Sequence, residues 1–326
     1  MATTLRRREL LTLLGGVVVG WPLAARAQQP KMLRVGFAGI QARDTPNPVA
    51  FLNRMAELGY QEGRNFTFEF VQSPSIEGYE ASYRDLAARK VDIFLVAGNE
   101  AALSAAQGVA GGLPIAFLAI DFDPQAKGYV ASLRRPGGNI TGILVHQLEL
   151  AAKRVEIIRE ALPQARLIGV LWDGASREQA DAAAEAAKML GLDARLIEVG
   201  QPPDYSAALR NMRDAPGAPV VIPASPIFLR DRTAVARVLT DGRIPSISAF
   251  RENAAAGALM SYGVDLVGEF RDIADYVDRI AKGRQPADVP MEQSSRVHMT
   301  VNLKTAAILG LSLPPAFTAR TDEVIE

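Results

Sequence analysis

Residues 165–173 read ARLIGVLWD, and residues 32–40 read MLRVGFAGI. Each is a near-continuous apolar run rather than an alternating one, as expected of a strand whose two faces are both covered. Each run opens the same succession of elements. After the first run come a helix at 48–60 closing on Leu58-Gly59, a strand NFTFEFV at 65–71, a helix at 77–90, a strand VDIFLVAG at 91–98, a helix at 99–110 and a strand LPIAFLAI at 113–120. After the second come a helix at 176–190 closing on Leu190-Gly191, a strand ARLIEVG at 194–200, a helix at 204–214, APVVIPAS at 218–225, a helix at 227–241 and IPSISAF at 244–250. Strands alternating with helices at this spacing predict parallel sheets. Stated twice, the pattern predicts an α/β fold of two doubly wound parallel-sheet lobes.

Between the halves, Gly137-Gly138-Asn139-Ile140-Thr141-Gly142 reads as a flexible passage into a helix at 147–162, whose buried stripe is Leu148, Ala151, Val155, Ile158 and Leu162. Beyond the second half, ALMSYGVDLVGEF at 258–270 leads into an amphipathic helix ending near Lys282, followed by a proline-bearing stretch at 285–293, a strand-like SRVHMTVN and a last helix at 303–311. These elements are expected to recross between lobes. Lobe one then comprises 31–143 plus about 264–284, lobe two 144–263 plus about 294–312, and 313–326 is a C-terminal tail, with a multi-strand hinge joining the lobes.

The first 27 residues have another logic: Arg6-Arg7-Arg8, an apolar run from Thr12 to Gly20, and Ala25-Arg26-Ala27. A charged start, a short apolar centre and a small-residue cleavage site make an export signal, and the run is too short to span a bilayer. The arginine pair before Glu9-Leu10-Leu11 resembles a twin-arginine motif. Cleavage after Ala27 is expected to leave a soluble periplasmic protein with no direct membrane insertion.

The 326 residues contain 36 Lys+Arg, 36 Asp+Glu, 48% hydrophobic residues, no cysteine and two histidines. So apolar a chain buries enough surface to fold, and zero net charge offers no basic footprint for nucleic acid. Without cysteine, and with His146 and His298 far apart, neither thiolate chemistry nor a histidine metal cluster is expected. Catalytic motifs are equally missing: no G-x-S-x-G elbow, no phosphate loop, and Gly36-Phe37-Ala38-Gly39 where a dinucleotide fingerprint would stand. No cofactor is expected.

Open parallel sheets bind ligands beyond the carboxyl ends of their strands, so two such lobes facing each other form a cleft that closes by hinge motion. Its loops come in pairs: Gly39–Gln41 with Trp172–Ser176, Gly98–Glu100 with Ala224–Phe228, Asp121–Pro124 with Ala249–Glu252, and Thr141 with Ser261–Asp265. The candidate contacts are therefore Gln41, Gly98, Asn99, Glu100, Asp121, Asp123, Thr141, Trp172, Asp173, Ser225, Pro226, Phe228, Arg251 and Tyr262. Asn99 and Glu100 either contact the ligand or cap and charge the following helix. Ser225 before Pro226 fits an N-cap with proline at the first helical position, which is compatible with ligand contact. Asp121 and Asp123 face one side and suit an amine, unless they bond their own turn. Trp172 offers a flat stacking surface, and Arg251 with Tyr262 a carboxylate clamp, surface ion pairing being the alternative for Arg251.

Several segments together also resemble one family. They are the RRREL...WPLAARAQQP leader, Leu58-Gly59-Tyr60 with Glu62-Gly63 and Asn65, the RPGGNITG crossover (135–142), Ser261-Tyr262-Gly263, YVDRIAKGRQPADVPMEQ (276–293) and VNLKTAAILGLSLPP (301–315). The sequence is similar to the ABC-transporter substrate-binding proteins that include tryptophan-binding TrpX-type lipoprotein receptors. The resemblance implies a type I periplasmic binding fold, closure on a small-molecule solute, delivery to an ABC permease in the inner membrane, and no catalysis. It departs at Gly98, which is followed by Asn99-Glu100 where related sequences often carry a small hydroxyl residue. Two rival readings come from the residues: a periplasmic enzyme using Asp121, Asp123 or Glu100 as acid-base groups, and a ligand-sensing module reporting to a sensor kinase.

Overall fold

In the first half the apolar runs become β1 (Leu33–Gly39), α1 (Pro46–Glu57), β2 (Phe66–Gln72), α2 (Tyr79–Ala88), β3 (Ile93–Gly98), α3 (Glu100–Ala110), β4 (Ile115–Ile120) and β5 (Ile140–Val145). The structure is a computed structural model that describes residues 32–120 and 122–326, so the expected leader at 1–27 and Asp121 lie outside the described residues. The second half contains α4 (Gln147–Ala161), β6 (Leu167–Trp172), α5 (Arg177–Met189), β7 (Asp193–Glu198), α6 (Tyr205–Ala208), α7 (Arg210–Arg213), β8 (Val220–Ile222), α8 (Pro226–Arg230), α9 (Arg232–Asp241), β9 (Ser246–Ser248), α10 (Arg251–Ala255) and β10 (Met260–Val264). The chain ends with α11 (Leu266–Ala281), a 3-10 turn (Pro286–Asp288), β11 (Glu292–Gln293), β12 (Val297–Asn302), α12 (Leu303–Leu309), α13 (Pro315–Thr318) and β13 (Glu323–Ile325).

Two sheets result. The first has strand order β11-β5-β4-β3-β1-β2, the second β13-β12-β10-β9-β8-β6-β7. All pairings in the first are parallel. The second is parallel except where β12 runs antiparallel to β10 and carries β13 beside it. Each sheet is apolar on both sides. In the first sheet Val35, Ile93 and Leu118 pack with α1 and α11, while Phe94, Val96 and Phe117 pack with α2 and α3. In the second, Ile168 and Val170 face α4 and α5, while Leu171 and Val220 face the helices between β7 and β9. This double cover explains the continuous hydrophobic strands.

Three connections pass between the sheets: β5 into α4, β10 into α11, and β11 into β12. Arg154, fully buried on α4, braces the first two by donating Nε to the Tyr262 carbonyl at 2.7 Å and Nη2 to Gln147 Oε1 at 2.8 Å. Helix α11 returns to the first sheet and lies along α1, where Arg54 pairs with Asp275 at 2.9 Å and Arg271 with Glu57 at 2.5 Å.

The structure corrects several local expectations. Residues 140–145 are not a flexible passage but strand β5, entirely buried and paired with β4. Its Gly142 is needed for close approach, since a Cβ there would sit 1.8 Å from the Phe117 carbonyl oxygen. The single helices read at 204–214 and 227–241 are each broken in two, the second at Asp231, whose carboxylate accepts the Tyr205 hydroxyl at 2.8 Å. The 285–293 stretch gives β11 to the first sheet, and the terminal residues give β13 to the second.

Candidate functional site

Both sheets share the order in which the first strand lies between the second and third, so each has a switch point where successive connections leave in opposite directions, β1/β3 in one and β6/β8 in the other. The loops leaving these strands meet around one cavity. Its loops enclose about 700 Å³ of space between atoms, the open solvent at its mouth included.

From the first sheet come Phe37 and Gly39 of β1 with Ile40 and Gln41 after it, Thr45 before α1 with Asn47 and Pro48 in its first turn, and Ala97 and Gly98 at the end of β3 with Asn99 after it. From the second come Ala175, Ala224, Ser225, Pro226, Leu229 and Phe250. Leu266 and Phe270, on the returning helix α11, add to the first side. The apolar lining is continuous across the lobes, because Phe37, Leu229, Phe250, Leu266 and Phe270 belong to one buried cluster. Phe37 and Phe270 meet edge to face with centroids 5.8 Å apart.

The polar lining is sparse. Gly98 takes a φ of +144°, and Asn99 caps α3 by accepting the Ala102 N–H at 3.4 Å, which leaves its amide N–H groups available. The Thr45 hydroxyl donates to the Ala42 carbonyl at 2.7 Å. Asn47 is 6% exposed, and its Oδ1 is buried without a hydrogen-bond partner. Buried polar atoms without partners are costly, so a donor entering the cavity would relieve this one. Burial holds the Tyr79 hydroxyl, also on the lining, well above the ordinary phenol range. None of the described lining residues is a carboxylate, lysine, arginine or histidine, and among the described residues no group of three or more His, Cys, Asp or Glu is placed to hold a metal ion.

The second wall is held rigidly. The buried side chain of Gln179 on α5 clamps the Ala224 backbone, donating to its carbonyl at 2.8 Å and accepting its N–H at 2.9 Å. Ser225 caps α8, with its Oγ accepting the Ile227 N–H at 3.2 Å and donating to Asp173 Oδ2 at 2.6 Å.

Of the residues expected from sequence, the cavity brings together Gln41, Gly98, Asn99, Ser225 and Pro226. Asp173 lies behind the wall, touching Ser225. The other described ones are elsewhere. Glu100 pairs with Lys127 at 3.0 Å and accepts the Tyr129 hydroxyl at 3.3 Å. Asp123 accepts the N–H groups of Gln125 and Ala126 in its own turn, at 2.8 and 3.2 Å. Thr141 is buried in β5 and donates to the Val289 carbonyl at 2.7 Å. The Trp172 ring packs against the second core beneath the Arg177 guanidinium, 4.6 Å from its centroid. Phe228 is in the core against Tyr205, Arg251 pairs with Glu323 on β13, and Tyr262 packs on the second core. The most informative residue that sequence reasoning missed is Asn47. Its signal was present in Thr45-Pro46-Asn47-Pro48, where two prolines place a polar side chain in the first turn of the helix that follows β1.

Comparison with known proteins adds independent information. The family model described as ABC transporter substrate binding protein matches residues 49–325. A tyrosine-binding protein from Clostridioides difficile (strain R20291) is 21% identical over 268 residues, covering 80% of this chain and 75% of that protein. Among solved structures, a conserved domain protein from Vibrio cholerae superposes with a TM-score of 0.81 at 20% identity, over 90% of this chain and 100% of that one. A Streptococcus pneumoniae ABC domain in complex with L-Trp gives a TM-score of 0.80, also at 20% identity, over 90% and 100%.

Proposed function

The chain belongs to the ABC transporter substrate-binding protein family, and from that premise we propose that it is the extracytoplasmic receptor of an ABC importer for an amino-acid-like solute with an apolar, aromatic-sized side group. The observation that carries the solute class is the cavity, whose lining joins phenylalanine and leucine side chains from both lobes to a few amides and the hydroxyls of Thr45, Tyr79 and Ser225. The tyrosine-binding and L-Trp-bound relatives support the same class. Lobe one is assigned to 32–145 with 266–293 and lobe two to 147–264 with 297–326, so that closure presses the two switch points onto the solute.

Gln41, Asn47, Gly98, Asn99, Ser225 and Pro226 are the proposed contacts. Asp121, which follows the lining residue Ile120 in the chain, is the proposed carboxylate partner for a ligand amine. The protein performs no chemistry on its solute and passes it to a membrane permease. It reaches that position by export on the leader, with cleavage after Ala27. No helix of the described residues is long and apolar enough to cross a membrane.

The test is a thermal-shift screen of the purified protein, unfolded and refolded to strip carried ligand, against amino acids, nucleosides, amides, sugars and organic acids. A solute bound only by the native state adds about 2.7 kcal/mol of stability at one hundred times Kd. The expected result is a saturable shift confined to aromatic amino acids, which are recovered chemically unchanged. A shift confined to another class, or conversion of the bound molecule, would overturn the reading.

A further inference from the structure

Ser225, 1% exposed on the cavity lining, carries a hydroxyl whose only hydrogen is already committed. Its Oγ donates to Asp173 Oδ2 at 2.6 Å and accepts the Ile227 N–H at 3.2 Å. Asp173 is 1% exposed and receives two further donors on Oδ1, the Ala175 N–H at 3.2 Å and the Ser176 hydroxyl at 2.6 Å. Ser176 is fixed by the same logic, since its Oγ also accepts the Asp173 N–H at 3.0 Å. With three donors directed at it, the Asp173 carboxylate acts purely as an acceptor. The Ser225 hydrogen therefore stays directed at Asp173, and one Oγ lone pair is what Ser225 retains for a ligand. The first lobe contributes a matching group to the same cavity in Asn47, 6% exposed, with its buried Oδ1 unpartnered.

We propose that Asp173 is a positioning residue that sets Ser225 as a hydrogen-bond acceptor, and that the cavity thereby selects solutes carrying N–H or O–H donors for Ser225 on one lobe and Asn47 on the other. The proposal rests on the receptor reading and deepens it. For an aromatic amino acid the donor group is the ammonium. A solute of the same shape without donors leaves both acceptors buried and unpaired, which is how a polar site rejects an isostere far more strongly than an apolar one does. Because the two acceptors belong to different lobes, the full set of bonds exists only when the cleft is closed. Donor content thus bears on closure as well as on affinity.

The experiment uses probe pairs in which the second member lacks an N–H donor group of the first: L-tyrosine with 3-(4-hydroxyphenyl)propionate and L-tryptophan with indole-3-propionate, which also lose the ammonium charge, and adenosine with N6,N6-dimethyladenosine and nicotinamide with its N,N-dimethyl derivative, which also gain two methyl groups. Calorimetric Kd values are measured for the unsubstituted protein, Ser225→Ala and Asp173→Asn. In the unsubstituted protein the donor-bearing member of a binding pair should bind at least roughly tenfold more tightly. Ser225→Ala should weaken that member roughly tenfold and leave its partner nearly unchanged. Asp173→Asn supplies an amide N–H to Ser225 Oγ and frees the hydroxyl to donate into the cavity, so the preference should narrow. A merely structural role for Asp173 would weaken both members equally. Should Asp173→Asn fail to fold, Ser225→Ala carries the test alone. A preference that survives the substitutions in folded protein overturns the proposal. Tyrosine binding with no loss for its deaminated partner also overturns it, while leaving the receptor reading intact. A donor preference found only among the nucleoside or amide pairs supports the proposal and overturns the aromatic reading, and binding of no probe overturns both.

Discussion

Adding one methyl group at Gly142 and one at Gly108 should move stability in opposite directions. Gly142 lies in β5 opposite Phe117 of β4, with a φ of +149°. A Cβ there would fall 1.8 Å from the Phe117 carbonyl oxygen and 2.7 Å from its carbon, both backbone atoms without a flexible end to swing away. Gly142→Ala therefore carries two costs. Holding a non-glycine residue at such a φ costs about 1–3 kcal/mol, and forcing a methyl into packed structure costs a further 1–3 kcal/mol or so. The combined loss of about 2–6 kcal/mol is a large share of the roughly 5–15 kcal/mol that usually holds a domain together. With an unfolding entropy of about 2.1 cal/mol/K per residue, a chain of this size should lose roughly 3–10 °C in Tm. Gly108 is exposed in α3 with no atom within 4 Å of a built Cβ. Gly108→Ala should therefore raise stability by about 0.5–1 kcal/mol, through the lower backbone entropy of the unfolded chain. Urea unfolding followed by circular dichroism measures both variants. A Gly142→Ala midpoint equal to that of the unsubstituted protein would refute the argument that close approach of β4 and β5, rather than loop flexibility, requires the glycine, and a Gly108→Ala midpoint below it would refute the entropy argument for α3.

The site and its supports lead to other expected outcomes. Phe250→Ala removes apolar lining shared by both lobes and should raise the Kd of the bound solute roughly tenfold, while Trp172→Ala should leave it within about twofold, since that ring packs beneath Arg177 outside the cavity; isothermal calorimetry separates the two. Gln179→Ala leaves the buried Ala224 N–H and carbonyl without partners and should cost about 2–5 kcal/mol, read as a lower urea midpoint. The Arg271 guanidinium, and then that of Arg54, hold the Glu57 carboxyl at about 2, below its ordinary 4.5. Because the folded value is the lower one, this contribution is complete above pH 4.5 and is lost as the pH falls toward 2; Glu57→Gln should flatten the decline of the urea midpoint across that window.

Much of the architecture is readable in the chain because burial on both faces of a parallel sheet leaves a one-dimensional trace. Runs such as VDIFLVAG and LPIAFLAI cannot belong to a half-exposed strand, and the closing pairs Leu58-Gly59 and Leu190-Gly191 mark corresponding helix ends in the two halves. Strand-end logic likewise located Gln41, Gly98, Asn99, Ser225 and Pro226, all of which line the cavity. It misjudged β5 because Pro-Gly-Gly before it and glycine within it are the composition of a loop, whereas Gly142 is there for contact with the backbone of β4. It missed Asn47 because that side chain stands eight positions beyond the end of β1, past a turn whose path no local pattern specifies.

What the sequence determined alone is thus the repeated strand and helix order and the strand-end loops, several of which line the cavity, since periodicity and capping act within a few residues. The tertiary structure decided which side chains at those loops face the cavity and which face the core. Trp172 and Ser225 both stand at the carboxyl side of strands in the second sheet, yet one stacks under Arg177 and the other, anchored by Asp173, lines the cavity. That choice depends on helices and crossings distant in the chain, on Gln179 clamping Ala224 and on α11 returning Leu266 and Phe270 to the first lobe. Contacts of such separation are set by packing in three dimensions, and a linear pattern carries no record of them.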